Sequence, residues 1–165
     1  MRPPADAPQR FVLHVSVAAR WWLYHLPQGP EAARFLWERL RLPGTSLVAV
    51  EGIELQILEQ IATDLGDDLN TFLADTLAGD VLQLFADFEE TNHLELVPVR
   101  RLARVAMLTV AMHRISFADA VAAALAEDSG APLLVANEGA YRILKALEPA
   151  RPALRVAWLP DELDS

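Results

Sequence analysis

The chain has 165 residues, 53% apolar and 22% charged, and no cysteine, so it has the length of one domain and enough apolar side chain for a sizeable core. The lack of cysteine excludes a disulfide scaffold, a thiolate nucleophile and a Cys-ligated zinc site. The net charge of -9 is unevenly spread: residues 42–99 hold twelve acids and no Lys or Arg, residues 1–41 six Arg against three acids, and residues 100–165 eight basic against eight acidic side chains. Such an acidic block repels a phosphate backbone. It reads as solvated helix faces or as a docking surface for a basic partner.

Taken in order, the Pro-rich start, residues 1–10, is expected to be disordered. The apolar stretch from Phe11 to Leu26 is interrupted by His14, Arg20 and His25. It is a poor match to a secretory signal, and no run of about 18 apolar residues exists to span a membrane. A cytoplasmic location is expected. Phe11 to Val15 is a short β-rich segment, and Ser16 is placed to cap a helix over VAARWWLYHL. Trp21 and Trp22 point about 100° apart on a helix, so one is expected inside and the other toward a neighbouring subunit or partner.

After Pro27, Gly29 and Pro30, EAARFLWERLRL has helical apolar spacing up to Pro43-Gly44, and Ser46 to Val50 reads as a second strand. Ile53, Ile57 and Ile61 predict an amphipathic helix from Glu51 to Asp64, broken by Gly66-Asp67-Asp68. Helix is expected from Leu69 to Glu90, with Gly79 a candidate joint. HLELVPV alternates as a strand ended by Pro98, and Arg101 to His113 is helical again.

The clearest local signals lie between Ser116 and Gly139. Ser116 with Asp119 three residues on reads as a capping box, Gly130 as a left-handed helix stop, and Leu133 to Val135 as a buried parallel strand with Asn137 at its carboxyl end. In open α/β sheets ligands bind outside the carboxyl ends of strands, so chemistry is expected near Asn137. A helix from Ala140 to Leu147 and a last strand from Leu154 to Leu159 complete the pattern. Five strands alternating with helices predict a single α/β domain over residues 11–159, with a central, mostly parallel sheet, and residues 160–165 as a C-terminal tail.

Three stretches, LHVSVAARWWL, SLVAVEGIELQILEQI and SFADAVAAALAEDSGAPLLVAN, resemble the motifs of the PIN-domain family, in particular its small VapC-type toxins. The resemblance covers roughly residues 11 to 158 and implies a three-layer α/β/α fold with metal-dependent ribonuclease activity. That chemistry rests on carboxylates that hold Mg²⁺ or Mn²⁺ to activate water on a phosphodiester. Matched residue by residue, the first aspartate falls on His14, the glutamate on Gln56, the third acid on Asp119 and the fourth on Asn137. Three of these four positions have lost their acid.

The reading is therefore a degenerate active site, leaning away from an enzyme, in which His14, Ser16, Gln56 and Asn137 bind rather than catalyse. No cofactor is expected; Mg²⁺ or Mn²⁺ enters only if the site works. Glu59 and Glu138 are the candidate substitutes for the lost acids, and His14 with Asp119 the candidate ligands if a metal binds. The alternative is a toxin-type endoribonuclease with such a rebuilt site. Expected partners are a second copy of the chain and a small antitoxin-like or basic protein, with RNA secondary and no membrane.

Other constellations say less. Ser16 follows His14 by two residues, which brings a hydroxyl near a base, but no Gly-x-Ser-x-Gly elbow surrounds it. Arg100, Arg101 and Arg104 cluster at a helix start, where they read as surface solvation rather than as a contact to nucleic acid, given the acidic segment nearby in sequence. His25, His93 and His113 have no ligand spacing.

Overall fold

The computed structural model describes residues 10–23, 29–40 and 44–163. Its centre is a five-stranded sheet of β1 (Arg10–Leu13), β2 (Ser46–Val50), β3 (Leu94–Val97), β4 (Leu133–Val135) and β5 (Val156–Trp158), in the order β3-β2-β1-β4-β5. Every pairing is parallel, with Val12 opposite both Val48 and Leu133. The expected mostly parallel sheet is thus wholly parallel. Its strands are short, nearly continuous apolar runs because helices cover both faces.

The helices are α1 (Val15–Ala18), α2 (Gly29–Leu40), α3 (Ile53–Leu65), α4 (Thr71–Glu90), α5 (Val99–His113), α6 (Phe117–Ser129), α7 (Glu138–Lys145) and α8 (Leu159–Leu163). With the right-handed crossovers usual for parallel strands, this order puts α1 to α4 on one face and α5 to α7 on the other, in keeping with the contacts of α3 with α1 and α4 and of α6 with α5 and α7. Between β1 and β4 the direction of strand succession reverses. That is the switch point at which an open parallel sheet forms a crevice. The core runs from Val12, Leu13, Val48 and Leu134 in the sheet to Ile57, Phe85 and Leu125 on the helices, all at most 3% exposed.

Local expectations fare unevenly. Ser116 caps α6, its Oγ accepting from Asp119 N at 3.1 Å, and Gly130 ends that helix at φ 68°. The helix expected over VAARWWLYHL is instead one α-helical turn followed by a 3-10 turn, Ala19–Trp21; residues 24–28 lie outside the described residues. Aromatic packing ends it: Trp21 turns in against Phe85 and Phe88, and Trp22 lies edge-on to Trp21, half-buried against the same core. Ser16 is not the cap of α1. His14 is, its Nδ1 accepting from Ser16 N. The helix expected from Glu51 begins at Ile53, because Gly52 makes the turn at φ 89°. Gly79 is no joint: α4 runs through it unbroken. Of the start expected to be disordered, residues 1–9 lie outside the described residues and Arg10 already belongs to β1. Of the expected tail, residues 160–163 continue as α8, anchored by the fully buried Leu159.

Candidate functional site

A cleft of about 720 Å³ opens at the carboxyl ends of β1 and β4, within the size range of small-molecule sites. His14, Val15, Ser16 and Arg20 enter it from the turn after β1, and Ala136, Asn137, Glu138 and Ala140 from the turn after β4. Helix α3 contributes Gln60 and Asp64, α6 contributes Ser116, Ala118 and Asp119 at its start, and Trp158 closes one side.

His14 ties the floor together. It is 6% exposed, and extended backbone at φ -79° and ψ 146° lets it cap α1 while its ring faces the start of α6. Nδ1 lies 3.1 Å from Ser16 N and 2.7 Å from Ser16 Oγ; Nε2 lies 2.8 Å from Asp119 Oδ1. Because Nδ1 accepts the Ser16 backbone N–H, the Nε2 proton donates to Asp119. Ser16 Oγ in turn accepts from Ala136 N at 2.9 Å, joining β1's turn to β4's. Burial pushes the Asp119 carboxyl up, but the His14 hydrogen bond and charge, with a hydrogen bond from Ser116, outweigh it and hold the group below its ordinary 3.8.

The hydroxyl, imidazole and carboxylate therefore lie in a hydrogen-bonded row. They do not make a nucleophile and base. Nδ1 is shared between the Ser16 hydroxyl at 2.7 Å and the Ser16 backbone N–H at 3.1 Å, and Ser16 is only 5% exposed, with the Ala136 N–H upon its hydroxyl. The row is a brace between two strand ends and a helix start.

Arg20 is the side chain that sequence reasoning missed. It is 6% exposed, and its guanidinium donates to the carbonyls of Ser16 and Ala136, the latter at 2.9 Å from Nη2. Burial, the larger effect, lowers its pKa, while the Asp64 carboxylate raises it. A signal was present: in VAARWWL this is the one charge in an apolar run, and it follows Ser16 by four residues, on the same helix face. Asp64, likewise missed, stands two helical turns beyond Gln56.

The structure thus brings His14, Ser16, Asp119, Asn137 and Glu138 to one cleft. Gln56 is half-buried one turn before Gln60, Glu59 is exposed, and neither lines the cleft. Asn137 Oδ1 caps α7, accepting from Ala140 N at 2.9 Å, and Glu138 is ion-paired with Arg142 on the surface. Hard divalent cations want about six oxygen donors. Here both imidazole nitrogens and Asn137 Oδ1 are engaged, Asp119 holds His14, and a guanidinium lies among them. Among the described residues no three His, Asp or Glu side chains converge as a metal-ligand group. The donor set does not fit Mg²⁺ or Mn²⁺.

No family model matches the chain, and no curated protein matches it. Among solved structures, one chain of the crystal structure of VapBC2 from Rickettsia felis bound to a DNA fragment from their promoter is similar, with a TM-score of 0.54 and 11% identity over 91% of this chain and 98% of that one. At that identity the likeness shows a shared fold. It leaves the chemistry to the residues.

Proposed function

We propose that this chain is a PIN-like domain of the cytoplasm that lacks metal-dependent RNA cleavage and acts by binding protein. The observation that supports this most is the state of Asp119, the one acid retained from the four-residue pattern. It is committed to His14 inside a closed hydrogen-bond row, where a nuclease would present it to a metal. The fold likeness to a chain of a VapBC2 complex favours a small antitoxin-like partner, and the acidic α3 and α4 favour a basic one.

A second copy is the other partner. Val105, Leu108 and Met112 stand at i, i+3 and i+7 on α5, 45%, 58% and 74% exposed, a stripe that pairing of two copies would bury. Light scattering after gel filtration should give a dimer for the wild type and a monomer for the Leu108→Glu, Met112→Glu double variant; a monomeric wild type removes the homodimer.

Purified protein incubated with single-stranded RNA and Mn²⁺ should leave the RNA intact. Cleavage that Asp119→Ala abolishes would instead establish the toxin-type endoribonuclease with a rebuilt site.

A further inference from the structure

The resemblance to a metal-dependent fold calls for a cation at the carboxyl ends of β1 and β4, and the cleft holds one that belongs to the chain. We propose that Arg20 is the resident cation of this cleft: its guanidinium, fixed to the carbonyls of Ser16 and Ala136 in a cleft that Asp64 also lines, takes the structural place of a divalent metal and makes the site metal-independent. The inference rests on the binding reading above and gives it a physical cause.

Geometry carries it. In a parallel sheet the strand ends at a switch point turn their carbonyls and following helix starts toward one crevice, and acids gathered there repel one another unless a positive charge intervenes. Here α1, which starts straight after β1, supplies the Ser16 carbonyl, the turn after β4 the Ala136 carbonyl, and Arg20 donates to both. Asp64, from α3, which packs against α1 and the turn that carries Arg20, supplies the counter-charge. A planar, multiply donating guanidinium suits this task better than an ammonium, because it can serve two carbonyls and a carboxylate at once. Its position four residues after Ser16 also ties it to the second device spanning the same strands, the bond from Ala136 N to Ser16 Oγ. Two neighbouring side chains, one turn apart, thus clasp β4 through the N–H and the C=O of a single residue, Ala136.

The test is a set of thermal melts on the whole protein with EDTA and with millimolar Mg²⁺ or Mn²⁺. Wild type should melt at one temperature in all three. Arg20→Met should melt roughly 5–10 °C lower, since it leaves two carbonyls without their donor and removes the positive charge near Asp64, and Arg20→Lys should recover part of the loss. Asp64→Asn should lower the melting temperature of the wild type, and by clearly less in the Arg20→Met background; if Arg20→Met does not fold, Arg20→Lys serves as that background. A wild-type melting temperature raised by either metal overturns the proposal, as does an Arg20→Met protein as stable as wild type or an Asp64→Asn effect equal in both backgrounds. RNA cleavage by a protein whose melting ignores metals would sink the binding reading and leave Arg20's role standing.

Discussion

The cleft between β1 and β4 and the projecting start of α4 are both rich in charge, and they treat it in opposite ways. In the cleft, Arg20, His14 and Asp119 are each hydrogen-bonded inside the protein, and the strand-end carbonyls are satisfied. On α3 and α4 and the turn between them, Glu59, Asp67, Asp68, Asp75 and Asp80 stand exposed, and the first half of α4 is held only by half-buried side chains such as Leu77, its fully buried residues Val81, Phe85 and Phe88 all lying in the second half. Phe72, at its start, is 81% exposed. Balanced charge satisfies a region internally, whereas one-signed charge around exposed aromatic and aliphatic side chains leaves a face on which a partner can dock. The brace is in the cleft; the binding is expected on the helices.

The sharpest test of that contrast sets two phenylalanines of one helix against each other. Phe85 is 1% exposed and packs edge-on against Trp21 and Phe88, so Phe85→Ala should cost about 3–5 kcal/mol in a denaturant melt. Phe72→Ala should change stability by less than about 0.5 kcal/mol and weaken binding of a basic partner protein. Equal destabilisation by the two would mean that the first half of α4 is as well held as the second.

Next in size is His14→Ala, which strips the brace from inside. It leaves Ser16 Oγ without its imidazole partner and Asp119 without the donor at 2.8 Å, a loss of about 2–4 kcal/mol by chemical denaturation. His14→Asp, which restores the acid of the resembling family, should do no better, because two carboxylates then face each other across the cleft floor.

A smaller effect, with a pH signature, belongs to Asp119→Asn. The carboxyl's pKa is lowered in the folded protein, so the unfolded chain binds its proton first as pH falls. The stabilisation is therefore fully present above about pH 4 and is lost as pH drops through the lowered value. The Asp119→Asn protein should be about 1–2 kcal/mol less stable than wild type at neutral pH, with the gap shrinking below about pH 4. A gap that is unchanged into strong acid would show that the charge of Asp119 does nothing for the fold.

How far these features could be read in advance depends on their range. Ser116, Gly130 and the Leu133 to Val135 run act over four or five residues, so α6, the strand that follows it and their caps were legible from composition and spacing. The helix across Trp21 and Trp22 was misjudged because its end is set by Phe85 and Phe88, more than sixty residues away. The site shows the same division. His14, Ser16, Asp119 and Asn137 were picked out individually by their positions at strand ends and helix starts, but Arg20 and Asp64 escaped because an arginine in an apolar helical run acquires meaning only when β4 brings the Ala136 carbonyl to it. Gln56, the position at which the resemblance puts the family's glutamate, lies on α3 one turn before Gln60, which lines the cleft.

The smallest effect probes the weaker of the two regions directly. Gly79 lies in mid-helix on α4, exposed, where an added Cβ meets nothing within 4 Å. Glycine there leaves the unfolded chain extra freedom, so Gly79→Ala should raise stability by about 0.5–1 kcal/mol if α4 melts as one unit with the core. If the first half of α4 opens by itself, the substitution should instead slow local amide exchange from residues 71–79 while leaving the global melt where it was. The first outcome makes α4 a rigid rod that carries Phe72 to a partner. The second makes it a segment that a partner must order, with the weaker affinity that ordering entails.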